Sequence, residues 1–202
     1  MAFLNHRRPG RLARLVRGVC FASLLAALPF FIARAAGDAA PATLSTEYRV
    51  KAGFLFNFPQ FVEWPARAFR DASAPIVIGI LGDDPFGRYL DELVAGEKIG
   101  ERPLVVQRFR RVEDIADCHI LFISHSEAGS FEKIFARLRE RSVLTVGEDD
   151  GFARIGGMVR FTIENNKVRL RINRATAEAG GLTISSKLLR LATLVSTAKG
   201  EQ

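Results

Sequence analysis

The sequence predicts an α/β domain: a three-layer, doubly wound mixed sheet, mostly parallel, with helices on both faces. A C-terminal antiparallel hairpin is expected at one edge. Three observations carry this prediction. Four short apolar runs are separated by segments with helical spacing, as parallel strands covered on both faces require. Two alternating segments then flank Glu164-Asn165-Asn166-Lys167, a hairpin turn. With 48% apolar and 25% charged residues, the 202-residue chain has the composition of a folding protein.

The elements follow in order. Ser45 is placed to cap a helix that carries Glu47 in its first turn. Tyr48, Leu55 and Val62 share its apolar face, with Phe54, Phe58 and Phe61 beside them, and Pro59 ends the helix near Asn57. The first strand is Ile76–Leu81. A helix starting at Asp84-Pro85 follows through Phe86, Leu90 and Leu93. Leu104–Phe109 and Ile120–Ile123 are the second and third strands. Residues 127–141 form an amphipathic helix with Phe131, Ile134, Phe135 and Leu138 inward. The fourth strand is Val143–Val146, and the spatial order expected is 2-1-3-4. Glu148-Asp149-Asp150-Gly151 reads as an acidic loop. Met158–Ile163 and Val168–Ile172 are the hairpin strands, and a last helix is expected over 184–195.

The net charge of +7 is misleading. Arg7, Arg8, Arg11, Arg14, Arg17 and Arg34 all fall in the first 35 residues, which hold no acid. Setting them aside leaves 23 basic residues against 22 acidic ones, which excludes nucleic-acid binding by a basic surface. Residues 1–35 read as a secretory signal peptide: a charged region, the apolar stretch Gly18–Ala33, and small residues at Ala33 and Ala35 before the cut. Residues 36–44 form a tether, and the domain is expected over 45–198. Cleavage would remove Cys20. Cys118 would then be alone, read as a buried thiol before a strand.

No catalytic or metal constellation is legible, and no cofactor is called for. Asp83 and Asp84 in Gly82-Asp83-Asp84-Pro85-Phe86-Gly87 would repel phosphate, so the glycines read as turn formers. The loop still ends a strand, where α/β sheets bind ligands. Asp83, Asp84 and Phe86 are therefore the candidate ligand residues. His119 and His125 lack zinc spacing and read as surface histidines. Ser124 and Ser126 have no elbow sequence, and the chain is expected not to be an enzyme. Trp64 in Glu63-Trp64-Pro65 fits either a core position or a partner anchor. Arg169 and Arg171 share one face of the last hairpin strand and could meet an acidic partner.

Taken in order, the blocks resemble the YfiR family of periplasmic proteins. They are Tyr48–Ala52, Phe54–Phe58 and Phe61–Pro65, then Gly79–Gly82, Asp84–Gly87 and Cys118–Ile123. Gly156–Phe161, Lys167–Asn173 and Ala179–Leu189 follow. The set covers nearly all of residues 45–192. The resemblance implies a periplasmic repressor, often a homodimer, that binds the periplasmic sensor portion of an inner-membrane diguanylate cyclase and lowers cyclic di-GMP. It also implies an outer-membrane lipoprotein as antagonist. Glu63, Trp64, Phe152, Arg154 and Arg169 are the partner contacts expected. The alternative is a small-molecule-binding module acting with a receptor or sensor kinase. Arg171 departs from the family pattern, which commonly has an acid there. Gly53, Pro59 and the doubled Gly180-Gly181 depart as well. Some members carry paired cysteines, whereas Cys118 would stand alone.

Overall fold

The computed structural model describes residues 44–197. The expected leader, Cys20 and most of the tether lie outside them. Helix α1 (Thr46–Asn57) begins where Ser45 Oγ accepts from Tyr48 N at 3.3 Å. It ends in a 3-10 turn containing Pro59. Strand β1 is Val62–Glu63 and β2 is Ile76–Leu81. They are followed by α2 (Arg88–Val94), β3 (Lys98–Ile99), β4 (Arg102–Phe109) and β5 (Ile120–Ile123). Next come α3 (Phe131–Leu138), β6 (Leu144–Gly147), β7 (Val159–Glu164) and β8 (Lys167–Ile172). The chain then forms α4 (Arg174–Ala179), β9 (Thr183–Ile184), α5 (Ser186–Leu189) and β10 (Ala192–Leu194).

The main sheet runs β10-β8-β7-β6-β5-β2-β4-β3. Its centre, β4-β2-β5-β6, is parallel and has the order the four apolar runs imply. The hairpin β7–β8 is antiparallel within itself, and β7 joins β6 in parallel. Asn165 and Asn166 both take positive φ (52° and 58°), the two-residue turn that matches strand twist.

Alternation along each strand builds two cores. Ile76, Ile78, Ile80, Ile120 and Phe122 face α1, α2 and α5. Leu81, Leu121 and Ile123 face α3, which presents Phe131, Ile134 and Leu138 at helical spacing. Gly79 is required between these layers: a Cβ there would lie 2.7 Å from Cys118 Sγ and 2.8 Å from the Phe109 ring.

Several expectations change. The helix expected from Asp84-Pro85 begins only at Arg88, because Asp84 Oδ1 holds Phe86 N and Gly87 N in a turn before it. Val62, expected on the face of the first helix, lies in β1. The helix expected over 184–195 is three elements. Ile184 pairs with Val62 in a two-stranded ribbon, α5 is a single turn, and Ala192–Leu194 adds a strand beside β8. The helix expected from residue 127 begins as a 3-10 segment and becomes α-helical only at Phe131.

Candidate functional site

The crevice predicted to take a ligand lies where β2 and β5 end and the chain turns to opposite sides of the sheet. Here the two loops close on each other. Asp83 N donates to Ser126 Oγ at 3.0 Å, and a Cβ on Gly82 (φ +84°) would collide with that oxygen. Asp84 is committed to the turn. Its Oδ1 accepts from Phe86 N at 2.8 Å and Gly87 N at 3.1 Å, and its Oδ2 from Arg108 Nε at 2.7 Å. Arg108 also holds Asp91 with two nitrogens, which draws the Asp91 carboxyl below its ordinary pKa. The Phe86 ring is 1% exposed, wedged edge-on between Tyr48 and Phe122, so it offers no surface to a ligand. Only Asp83 of the three candidates is exposed. The loop works as a turn, as its glycines suggested.

The acidic loop after β6 is an anchor point. Lys51, 3% exposed, is ion-paired with Glu148 and Glu47. Tyr48 Oη donates to Glu148 Oε1 at 3.0 Å, and burial with that carboxylate pushes the phenol up to about 12. This joins α1 to the end of β6. Neither Lys51 nor Glu148 is singled out by the sequence, because a lysine on a helix ordinarily marks the solvent side. Beside them His125 bonds Asp149, which raises the imidazole pKa.

The predicted contact residues do not share one place. Phe152 is completely buried, in edge contact with Phe131 and Phe135. Its ring fills the space above Gly147 and Gly157, so it is a core residue and not a partner contact. Arg154 is exposed in the same loop, at the carboxyl end of β6, and Arg169 is exposed on β8. Glu63 and Trp64 lie at the other end, near the start of β5. Glu63 is exposed. Trp64 is half-buried and donates its indole N–H to His119 O at 3.2 Å.

His119 is buried, contrary to its reading as a surface residue. Val77 N donates to its Nδ1 at 3.1 Å, so its proton sits on Nε2, 3.1 Å from Ala68 O. The ring stacks on Phe69, and burial lowers its pKa from the ordinary value. Cys118 is buried too, and burial pushes its thiol up to about 12. Ser124 Oγ accepts from Ser126 N at 3.5 Å, so both serines serve local backbone groups. Among the described residues no group of three His, Cys, Asp or Glu side chains could hold a metal. No described helix is long and apolar enough to cross a membrane.

Two concave surfaces were not read from the sequence. An apolar groove of about 390 Å³ runs between α1 and α5, lined by Val50, Phe54, Phe61, Leu188 and Leu191 among others. Val50 is 43% and Leu191 70% exposed. A cavity of about 530 Å³ lies between α3 and α4, with Phe135, Ile155 and Met158 in its wall.

A family model described as YfiR/HmsC-like matches residues 48–193. The chain belongs to the YfiR/HmsC-like family. The family is one of periplasmic regulators of diguanylate cyclase signalling. A comparison with curated proteins finds no match. Among solved structures, a conserved domain protein from Vibrio cholerae is 12% identical with a TM-score of 0.50; the alignment covers 73% of this chain and 59% of that one. An ABC domain from Streptococcus pneumonia, in complex with L-Trp, is 11% identical with a TM-score of 0.49, covering 74% and 60%. The chain thus spans about 60% of the length of these structures, and the likeness to the Vibrio cholerae protein concerns the fold alone.

Proposed function

We propose that this YfiR/HmsC-like protein binds the periplasmic sensor portion of an inner-membrane diguanylate cyclase and holds the cyclase off. The observation that carries this reading is the family match, which runs from α1 to β10. The α1–α5 groove supports it, since exposed apolar surface of this kind is what association buries. The groove ends at Phe61, two residues before the exposed Glu63, so the expected Glu63–Trp64 contact adjoins it. Arg154 and Arg169 would meet the partner elsewhere. Repression is then a population shift: binding favours the inactive sensor conformation, and a near-complete shift takes about 5.5 kcal/mol of differential affinity. A homodimer, export through a cleaved leader and an outer-membrane lipoprotein antagonist belong to the same proposal.

The test is cellular cyclic di-GMP after deletion of the gene. Restoration uses an exported wild-type copy, a copy without residues 1–35, or an exported Val50→Asp/Leu191→Asp copy. A rise reversed by the exported wild type alone is the expected result. Unchanged cyclic di-GMP while membrane cyclases are expressed would overturn the reading. Full repression by the doubly substituted copy would remove the groove from it.

The cavity between α3 and α4 favours a second reading. Its volume lies within the usual range for small-molecule sites, about 300–1,000 Å³. A ligand there would act on a receptor or sensor kinase, from a place other than the expected crevice.

A further inference from the structure

Three arginines from three elements line one small pocket. Arg154 comes from the loop after β6, Arg160 from β7 and Arg171 from β8; Gly151, Ala153 and Val195 complete a volume of about 130 Å³. We propose that this pocket binds a compact oxyanion, such as phosphate or the carboxylate of a small metabolite.

The register creates the pocket. Arg160 and Arg171 are direct cross-strand partners in the hairpin. Like charges placed opposite each other on a sheet face repel, so the pair is favourable only with negative charge nearby. Two carboxylates supply part of it. Asp150 pairs with Arg160, and Glu164 lies 3.2 Å from Arg171. The Asp150 side chain is 94% exposed, so water screens much of its charge. Three guanidiniums thus face two carboxylates, a surplus of one positive charge. Arg154 pairs with no carboxylate among the described residues.

An unused donor points the same way. Arg171 Nε is removed from solvent and has no hydrogen-bond partner among the described residues. Buried donors are normally paired, and an orphan next to a cavity calls for an acceptor. The loop geometry brings Arg154 to the rim: Gly151 takes φ +83°, and Arg154 N donates to Gly151 O at 2.7 Å. Guanidinium forks suit oxyanions because each presents parallel N–H groups to two oxygens. The volume suits one such compact group. This pocket shares no lining residue with the α1–α5 groove, and its occupancy does not depend on the cyclase reading.

The experiment is calorimetric titration of the mature protein with inorganic phosphate, and separately with acetate, at constant ionic strength balanced with sodium chloride. Wild type, Arg154→Gln, Arg171→Gln and the surface control Arg137→Gln are compared. Saturable binding of at least one anion by wild type and the control, weakened about tenfold or more in the two pocket variants, is the expected result. Phosphate alone would identify a phosphoryl site, and both anions a general oxyanion site. Equal binding by all four proteins, or no heat from either anion, would overturn the proposal. Backbone amide spectra of wild type guard against a misfolded variant. Phosphate shifts should centre on Gly151–Arg154, Arg160 and Arg171, and an even spread over surface arginines would overturn the assignment.

Discussion

Replacing Phe152 by alanine tests the core assignment of a residue that its polar loop disguises. The ring is fully buried and touches Phe131 and Phe135. Truncating such a ring costs about 3–5 kcal/mol, transfer and cavity terms together. At about 2–4 °C per kcal/mol for a domain of this size, the midpoint should fall by about 6–20 °C. Gly157→Ala should also destabilise, by about 1–3 kcal/mol, because the added methyl would overlap the Phe152 ring. With the ring gone, the same methyl enters a void and should cost almost nothing. The double variant should therefore be more stable than the sum of the two changes by about 1–3 kcal/mol. Urea unfolding followed by far-UV circular dichroism measures all four corners of the cycle. Additivity within about 0.5 kcal/mol would refute the reasoning, since it would mean that ring and glycine do not meet.

Two further predictions concern titrating groups. Burial lowers the folded pKa of His119, so the unfolded chain takes up its proton first. The stability this gives is present above the ordinary histidine value of about 6.5 and is lost as pH falls through the folded value. Chemical denaturation between pH 7.5 and 5 should show that decline, and His119→Gln should flatten it; an unchanged slope would contradict the assignment. The Cys118 thiol, held near 12, should resist a chromogenic disulfide reagent at pH 8 until the protein is unfolded in urea. Rapid labelling of the folded protein would show that the thiol is accessible.

The centre of the sheet was legible because its strands are continuous apolar runs; helices α2 and α3 separate two of the three successive pairs, while β4 and β5 are joined through a 3-10 turn, Val112–Asp114. Ile76–Leu81 and Ile120–Ile123 need no partner to be recognised. Thr183–Ile184 and Ala192–Leu194 do need one: two or three residues carry no period, and their strand character comes only from β1 and β8. Phe152 was misplaced because acids precede it, although Gly147 and Gly157, the positions its ring overlies, were visible. His119 was misread because nothing local announces the Val77 amide that fixes its tautomer. The arginine pocket was half legible. Reading Glu164–Lys167 as the turn already sets Arg160 opposite Arg171, but Arg154 reaches them only through the fold.

The pairing of β1 with β9, and of Lys51 with Glu148 across 97 residues, bears on the order of assembly. Synthesis delivers α1 and β1 first; α1 meets α2 early, but its tie to Glu148 and the pairing of β1 wait for segments made far later. The parallel centre can pair its strands while these wait, with apolar faces open to competing contacts. Such non-local closure slows folding and lengthens the interval in which chains aggregate. The first elements of the domain to be synthesised are among the last to gain all their partners.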